Sequence, residues 1–236
     1  MNIFITATRG TKKEFAQRPL GRSFQRMSSD STLLLAVVEN NREGLPAVFN
    51  RFIHEDVREH NLVFLHDDLW LDDMFLSDRI RVALEMFDVV GVAGNRHLIP
   101  HAPAWHVKNE LMEWDTGFLS GIVSHGEGPL GAPAVYGPTP APVELLDGVL
   151  MAARASALLD SGVRFDERFD FHFYDLDFSR QANCAKLKVG TWPIAVTHTS
   201  GGAFGTPRWK QGLKLYRDKW GAGSDESAGN SAADMR

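Results

Sequence analysis

The chain has 236 residues and very little cysteine: Cys184 is the only one. An intrachain disulfide is therefore excluded, and the sequence gives no sign of an oxidising compartment. A lone thiol can act as a nucleophile, but it is more often a small buried apolar residue. The chain also lacks internal repeats.

Basic charge and long apolar runs are missing as well. The chain has 25 Lys and Arg against 30 Asp and Glu, which gives a formal net charge of -5. Nucleic-acid-binding proteins usually carry a basic patch, so nucleic acid is not expected as a partner. No apolar run approaches the roughly 20 residues that span a bilayer, and no secretory signal opens the chain. The sequence therefore predicts a cytoplasmic protein without a transmembrane segment.

Short apolar runs alternate with helical spacing over residues 1–93. Buried strands are predicted at 2–8, 32–38, 62–65 and 88–93, and helices at 45–60 and 77–87. This alternation predicts an α/β fold with a mostly parallel central sheet flanked by helices. We expect residues 1–220 to form one domain and residues 221–236, rich in Gly, Ser, Asp and Ala, to be a flexible C-terminal tail.

The periodicity fades over residues 94–144, which are rich in Gly, Pro, His and Trp. We interpret this stretch as a substrate-facing region with short edge strands, in which Trp105, Trp114 and Tyr136 suit stacking on a sugar face or core packing equally well. Further along the chain, helices are predicted at 149–159 and 209–220, and strands at 188–192 and 194–197.

Polar residues follow three of the predicted strands, at 6–9, 39–41 and 66–68. Ligands of such sheets bind outside the carboxyl ends of the strands, so these clusters are expected at one rim. His66, Asp67 and Asp68 form the most pointed cluster, because two adjacent carboxylates repel each other unless a positive charge neutralises them. Mg²⁺ or Mn²⁺ bound there would leave positions open for a diphosphate. A loop turn with a helix N-cap is the structural alternative.

Asp175 and Asp177 lie in a segment where aromatic residues alternate with carboxylates. They share a face in a strand, whereas at a helix start one can cap the helix while the other faces a site. A carboxylate beside an aromatic wall suits a general base, because apolar surroundings raise its pKa. His198, followed by Gly201 and Gly202, is a candidate late metal ligand or a structural histidine.

Together these residues resemble the family-2 glycosyltransferases with the GT-A fold. Residues 165–169 and 173–180 resemble the family's Phe-Asp-Glu turn and its Glu-Asp-x-Asp-x-x-x-Arg segment. Residues 147–154 resemble the segment on the acceptor side, and 66–68 stand where the family keeps its Asp-x-Asp metal motif. The loop 39–45 with Asn50 resembles a nucleotide-binding loop, and 198–202 a late His-Gly segment. The resemblance runs in order over roughly residues 30–220.

The resemblance implies transfer of a sugar from a nucleotide-diphosphate donor to a saccharide or other acceptor hydroxyl, with inversion and with Mn²⁺ or Mg²⁺. Asp175 would be the general base. The remaining implied residues are the metal ligands Asp68, His66, Asp67 and His198 and the substrate contacts Glu39, Asn40, Asn41, Asp147, Gly148, Asp177 and Trp105. Two positions depart from the family pattern: His66 replaces the first Asp of the metal motif, and Tyr174 replaces the Glu before the base.

Two other functions are compatible with the sequence. His66, Asp68 and His198, with Arg208 as a clamp for a 2-oxoacid, would make the triad of a non-haem Fe(II)/2-oxoglutarate oxygenase. That triad usually belongs to an all-β double-stranded helix, which the alternation over residues 1–93 disfavours. The departures at His66 and Tyr174 also allow an inactive, transferase-like carbohydrate-binding protein.

Overall fold

A computed structural model of the chain describes residues 1–201 and 204–221. Two mixed β-sheets are flanked by helices. The strands are β1 Asn2–Ala7, β2 Leu33–Val38, β3 Asn61–Leu65, β4 Leu69–Leu71, β5 Val89–Gly91, β6 Ala93–Asn95, β7 Leu119–His125, β8 Ala132–Gly137, β9 Ala141–Pro142, β10 Leu145–Leu146, β11 Leu150–Arg154, β12 Val189–Thr191 and β13 Val196–His198. The helices are α1 Lys12–Phe15, α2 Pro19–Arg26, α3 Leu45–Asn50, α4 Leu76–Met86, α5 Ala155–Ser161, α6 Tyr174–Cys184 and α7 Pro207–Lys219, with a 3₁₀ turn at Glu55–Val57. Gly202 lies outside the described residues, and so does the predicted tail 221–236 apart from its first residue.

The larger sheet has the strand order β2-β1-β3-β11-β5-β12-β9. β1 pairs in parallel with both β2 and β3, and β5 pairs in parallel with β12. β11, however, runs antiparallel to both of its neighbours, β3 and β5, and β9 runs antiparallel to β12. The predicted mostly parallel sheet is therefore wrong, because an antiparallel strand separates its two parallel parts.

The predicted helix over 149–159 is wrong in its first half. Leu150–Arg154 form β11, and the helix α5 begins only at Ala155. Leu, Met and Ala favour helices intrinsically, but residues 150–153 are fully buried between two strands. There the ladder to β3 and β5 satisfies their backbone groups, so tertiary pairing overrides local propensity.

The smaller sheet has the order β10-β6-β7-β13-β4, with β8 paired to β7. β13 runs parallel to β7 and antiparallel to β4. This register sets His198 opposite Leu69 on one side and opposite His125 on the other. Strands β7 to β9 lie within the stretch 94–144, where short edge strands are predicted, but β7 is longer than that prediction and lies inside the sheet, between β6 and β13.

The other predicted elements differ mainly in length. The strands predicted at 2–8, 32–38 and 62–65 are β1, β2 and β3, and the helices predicted at 77–87 and 209–220 are α4 and α7. The predicted helix 45–60 stops at Asn50, whose side chain accepts a hydrogen bond from the Phe165 N–H (3.0 Å) and donates one to the Phe165 carbonyl (2.8 Å). The run predicted at 88–93 divides into β5 and the start of β6, which belong to different sheets.

Buried apolar side chains from both sheets and from all seven helices, α1 to α7, form one continuous cluster. Its largest fully buried members are Tyr174, Tyr216, Phe4, Phe49, Phe64, Phe165, Phe169 and Phe178. Within the described ranges, no helix combines the length and apolar character needed to cross a membrane.

Asp177 connects α6 to α7 inside the protein. Its side chain is fully buried and accepts hydrogen bonds from the Trp220 indole (2.8 Å) and the Gln181 amide (2.7 Å). Lys219 Nζ lies 2.7 Å from the same carboxylate. Because these three partners satisfy the Asp177 carboxylate, its role in the structure is to hold α6 and α7 together.

Replacing Asp177 with Ala is expected to lower the free energy of unfolding by about 3 kcal/mol, because a buried pair loses one partner and leaves the other uncompensated. Urea denaturation measures the loss. Asp218→Ala on α7 is the matched control: it removes an exposed ion pair with Lys214 and should cost less than about 1 kcal/mol. Equal losses in the two variants would contradict the buried role.

Candidate active site

The pairing of β4 with β13 brings Asp68 and His198 together although they are far apart in sequence. Asp68 directly precedes β4, and His198 is the last residue of β13. Thr199 links the residue before β4 to the end of β13, because its N–H and its hydroxyl both donate hydrogen bonds to the Asp68 carbonyl (3.2 and 2.7 Å). His198 Nε2 then lies 3.3 Å from Asp68 Oδ1.

His66 completes a group that can hold a metal ion. One ligand atom from each of His66, Asp68 and His198 lies within 4.8 Å of the others. Two imidazoles and a carboxylate suit a first-row transition ion, so of the two predicted ions Mn²⁺ fits better than Mg²⁺, which prefers oxygen ligands. Asp67 lies outside this group, because its carboxylate pairs with Arg18 (3.0 Å).

The electrostatics favour the metal-binding form of His66 and Asp68 and work against it at His198. Burial lowers the pKa of His66 to about 4, so its ring is neutral. Burial alone would raise the pKa of Asp68, but the hydrogen bond and charge of His198 and the charge of His66 bring it well below its usual range. Burial likewise works against His198, yet the hydrogen bond to Asp68 and the charges of Asp68 and Asp147 raise its pKa. A neutral imidazole and an ionised carboxylate are the forms that bind metals.

Tyr174 links His66 to the chain segment before β11. Its hydroxyl donates to the Gly148 carbonyl (2.8 Å) and lies 3.0 Å from His66 Nε2. A hydroxyl has one proton, and a carbonyl can only accept, so His66 Nε2 is the donor in the second bond. This assigns the proton to Nε2 and leaves the Nδ1 lone pair of His66 available to bind a metal ion.

Gly148 also holds Asp175 in place. Its N–H donates to Asp175 Oδ2 (2.9 Å). A Cβ atom on Gly148 would lie 2.6 Å from the Tyr174 hydroxyl and 2.8 Å from the Asp175 Cβ, closer than real Cβ atoms come, so only glycine allows this approach. Phe173, with φ 67°, turns the chain through the left-handed region just before α6, a costly conformation that is typical of functional sites.

Asp175 is half-buried, and its carboxyl is poised to exchange a proton near neutral pH. Burial and the nearby charge of Asp147 raise the pKa of Asp175 to about 7, against the opposing hydrogen bond from Gly148. Burial raises the pKa of Asp147 as well. A carboxyl with a pKa near the working pH is suited to general base catalysis.

A polar cavity of about 550 Å³ lies beyond the carboxyl ends of β1 and β3, where the sequence predicts a binding rim. We call it the arginine cavity, because Arg9, Arg18 and Arg208 line it. The other lining residues are Ala7, Thr8, Gly10, Glu14, Asn41, Glu43, Leu45, His66, Asp67, Asp68, Asp170 and Phe171. Its five carboxylates outnumber the arginines, so a bound diphosphate would need a cation beside it.

Only part of the predicted substrate loop reaches this cavity. Asn41 lines it, whereas Glu39 accepts a hydrogen bond from the Lys12 N–H (2.6 Å) and so holds the start of α1. Asn40, with φ 53°, donates its N–H to the Gly10 carbonyl (2.8 Å). Glu39 and Asn40 therefore stabilise the loop by hydrogen bonds and do not line the cavity.

A second cavity, of about 430 Å³, shares His66 and Phe171 with the first. We call it the aromatic cavity. Its other lining residues are Pro103, Ala104, Trp105, His106, Trp114, His125, Ala134, Tyr136, Asp147, Gly148, His172, Phe173, Tyr174, Asp175, Leu176, His198, Ser200, Gly201, Phe204 and Trp209. The predicted site residues Asp147, Gly148, Trp105 and Asp175 thus come together here, and Asp177 lines neither cavity.

Several residues of the two cavities escape the sequence analysis. Arg18 lies in a basic stretch whose spacing gives no hint that it reaches Asp67. His106 and His125 stand apart from any motif, and Phe171 lies in the aromatic segment before Asp175 but has no role predicted for it. The positions of all three depend on how β7 and the loops before α6 fold. In the sequence, the clearest sign of an altered site is Tyr174, which replaces the Glu of the resembled family. In the structure its hydroxyl is a hydrogen-bonding partner of His66.

Comparison with known proteins finds similarity in structure alone. No protein-family model and no curated protein matches the chain. S. aureus TarS matches with 13% identity and a TM-score of 0.51 over 92% of this chain and 39% of TarS. TarS 1-349 in complex with UDP matches with 12% identity and a TM-score of 0.50, over 94% of this chain and 67% of that fragment.

A third match is the mannosyltransferase PcManGT from Pyrobaculum calidifontis in complex with GDP-Man and Mn2+, with 14% identity and a TM-score of 0.49 over 92% of this chain and 63% of that chain. This chain therefore spans less than half of the longer TarS chain and about two thirds of the shorter structures. The two TarS matches, which cover most of this chain, show that it has the fold of the GT-A glycosyltransferases.

Proposed function

We propose that the protein is a glycosyltransferase that moves a sugar from a nucleotide-diphosphate donor to an acceptor hydroxyl. One observation carries this proposal: the group His66, Asp68 and His198 lies where the arginine cavity meets the aromatic cavity. A donor in the first and an acceptor in the second would meet at this shared wall. The fold supports the same function, and TarS 1-349, which has that fold, was solved with UDP.

The arginine cavity is the donor site in this proposal. Its arginines and the polar residues after β1 suit a nucleoside diphosphate, while Asp67 and Asp170 partly neutralise Arg18 and Arg208. A divalent ion held by His66, Asp68 and His198 would supply the positive charge that offsets the leaving diphosphate. Mn²⁺ fits these donor atoms.

Asp175 is the general base in the aromatic cavity. Its carboxylate takes the proton of the acceptor hydroxyl while the acceptor oxygen bonds to the anomeric carbon of the donor sugar. The bond from that carbon to the diphosphate breaks, and the diphosphate leaves with the electron pair. A single displacement of this kind inverts the anomeric configuration. The Gly148 N–H keeps Asp175 at its place.

The oxygenase remains the second candidate, because the structure brings together two histidines and one carboxylate, and Arg208 lines the adjoining cavity. Its expected all-β fold is not the fold of this chain, and Arg208 is paired with Asp170. Iron-dependent formation of succinate from 2-oxoglutarate would favour it. An inactive carbohydrate-binding protein would bind sugars without cleaving any donor.

The decisive experiment incubates the protein with Mn²⁺ and a panel of UDP-, GDP- and dTDP-sugars. We expect metal-dependent binding and slow hydrolysis of one donor class, measured by calorimetry and by release of the nucleoside diphosphate. Asp68→Ala should abolish the metal-dependent binding, because it removes the only carboxylate of the three-residue group.

Asp67→Asn is the matched control, since it changes the neighbouring carboxylate, which faces Arg18. It should keep the Mn²⁺ affinity of the wild type. Nucleotide binding by Asp68→Ala that equals the wild type would remove Asp68 from the metal site, and a protein that binds no donor with or without metal would refute the transferase.

The pH dependence of transfer should follow Asp175. The base works only when ionised, so kcat/KM is expected to fall as the pH drops through about 7. Asp147→Asn removes a negative charge that raises the pKa of Asp175, so the acidic limb should move to lower pH. Asp175→Asn should bind the donor normally and fail to transfer. An unmoved limb in Asp147→Asn, or turnover by Asp175→Asn, would assign the base elsewhere.

Tyr174→Phe should weaken Mn²⁺ binding by about tenfold, because the residue that fixes the His66 ring and its proton is lost. Metal titration followed by electron paramagnetic resonance measures this without turnover. Tyr216→Phe is the control: Tyr216 is equally buried, but its hydroxyl meets Arg180 and it lines neither cavity. If the two variants bind Mn²⁺ alike, Tyr174 does not orient the ligand.

A further inference from the structure

Exposed aromatic side chains concentrate at the aromatic cavity. Five are exposed in the described part of the chain, namely Phe75, Trp114, Phe118, Phe171 and Phe204, and three of them line this cavity. Trp114 is 50% exposed, while Tyr136 stacks against it with ring centroids 5.7 Å apart and planes 28° apart. Apolar surface left open in this way marks a binding site. It offers flat faces to whatever occupies the cavity.

Charge separates the two cavities. Three arginines line the arginine cavity, whereas none of the described residues around the aromatic cavity is Lys or Arg. Instead Asp147 and Asp175 both face the aromatic cavity. A phosphate or carboxylate on an occupant would lose water without meeting a Lys or Arg side chain among these lining residues, and it would be repelled by the acidic groups.

The cavity is nevertheless polar enough to bind hydroxyl groups. His125, His172 and Ser200 line it together with Asp147 and Asp175. These side chains offer hydrogen-bond donors and acceptors around the occupant. A purely aromatic acceptor would cover most of them without pairing them, which is costly. A pyranose ring satisfies both demands, since its C–H face packs on aromatic rings and its hydroxyls bond at the edge.

From these features we infer that the acceptor is an uncharged saccharide, and that phosphorylated and carboxylated sugars are excluded. The role of this saccharide as an acceptor rests on the proposed transferase function. The preference for uncharged sugars in binding follows from the lining of the aromatic cavity alone. Trp114 is then a specificity-determining residue, because it is the most exposed ring of the cavity and acts on the acceptor alone.

The test compares pairs of sugars in which one member carries an anionic group at C6 and the other is neutral. Glucose and glucuronate, galactose and galacturonate, and N-acetylglucosamine and its 6-phosphate are offered at equal concentration with the donor found in the panel, and binding of each sugar alone is followed by saturation-transfer NMR. We expect neutral members to be preferred on the order of tenfold or more in kcat/KM and in binding. Equal or better use of the anions overturns the inference, and so does the absence of binding by any neutral sugar.

Variants locate the effect. Trp114→Ala should raise the acceptor KM by about fivefold, and Trp114→Phe should restore most of it, because a flat ring returns. Leu111→Ala is the control, since Leu111 is exposed in the same loop and does not line the cavity. An unchanged KM in Trp114→Ala would overturn the role of this ring.

The two proposals fail separately. A protein that binds none of the UDP-, GDP- and dTDP-sugars with Mn²⁺ would contradict the donor site and leave the NMR comparison of neutral and anionic sugars in force. Donor hydrolysis combined with transfer to anionic sugars would keep the transferase and overturn the neutral acceptor.

Discussion

The Gly148 peptide is bonded on both sides by the start of α6: its N–H donates to Asp175 (2.9 Å), and its carbonyl accepts from Tyr174 (2.8 Å). Tyr174 in turn holds His66, so one peptide fixes both the candidate base and a candidate metal ligand. The arrangement requires that Gly148 has no side chain, because a Cβ atom would collide with the Tyr174 hydroxyl and with the Cβ atom of Asp175. The rest of the site is built around this contact.

The direction of β11 explains why Gly148 lies there. β11 runs antiparallel to β3, with Leu150 opposite Leu65, so its amino end lies beside the carboxyl end of β3. The chain entering β11 therefore passes next to His66, whose N–H donates to the Val149 carbonyl (3.3 Å). A parallel β11 would begin at the opposite edge of the sheet and would carry Asp147 and Gly148 away from the candidate metal ligands. The mixed sheet is thus a condition of the site.

This also shows what a sequence can and cannot predict here. β1 to β3 are continuous buried runs, and the polar rim after them follows from the general rule for such sheets. β11 has the composition of a helix and becomes a strand only through its two neighbours. His198 reaches Asp68 through three-residue strands, too short to show a period. Asp175 and Asp177 lie two positions apart on a helix, so they point to different sides, and only the fold decides which one faces the cavity.

His66 replaces a carboxylate of the resembled family, and the surroundings give this exchange a physical reason. A carboxylate there would be buried close to Asp68. Burial already raises the pKa of Asp147 and Asp175 in the same site, so a further negative charge would be costly. A neutral imidazole avoids that cost and still offers a metal ligand. Its flat ring also stacks on Phe171, with centroids 5.4 Å apart, and these two residues line both cavities. The same side chain can therefore bind a cation on the donor side and continue the aromatic surface on the acceptor side, which a carboxylate could not do.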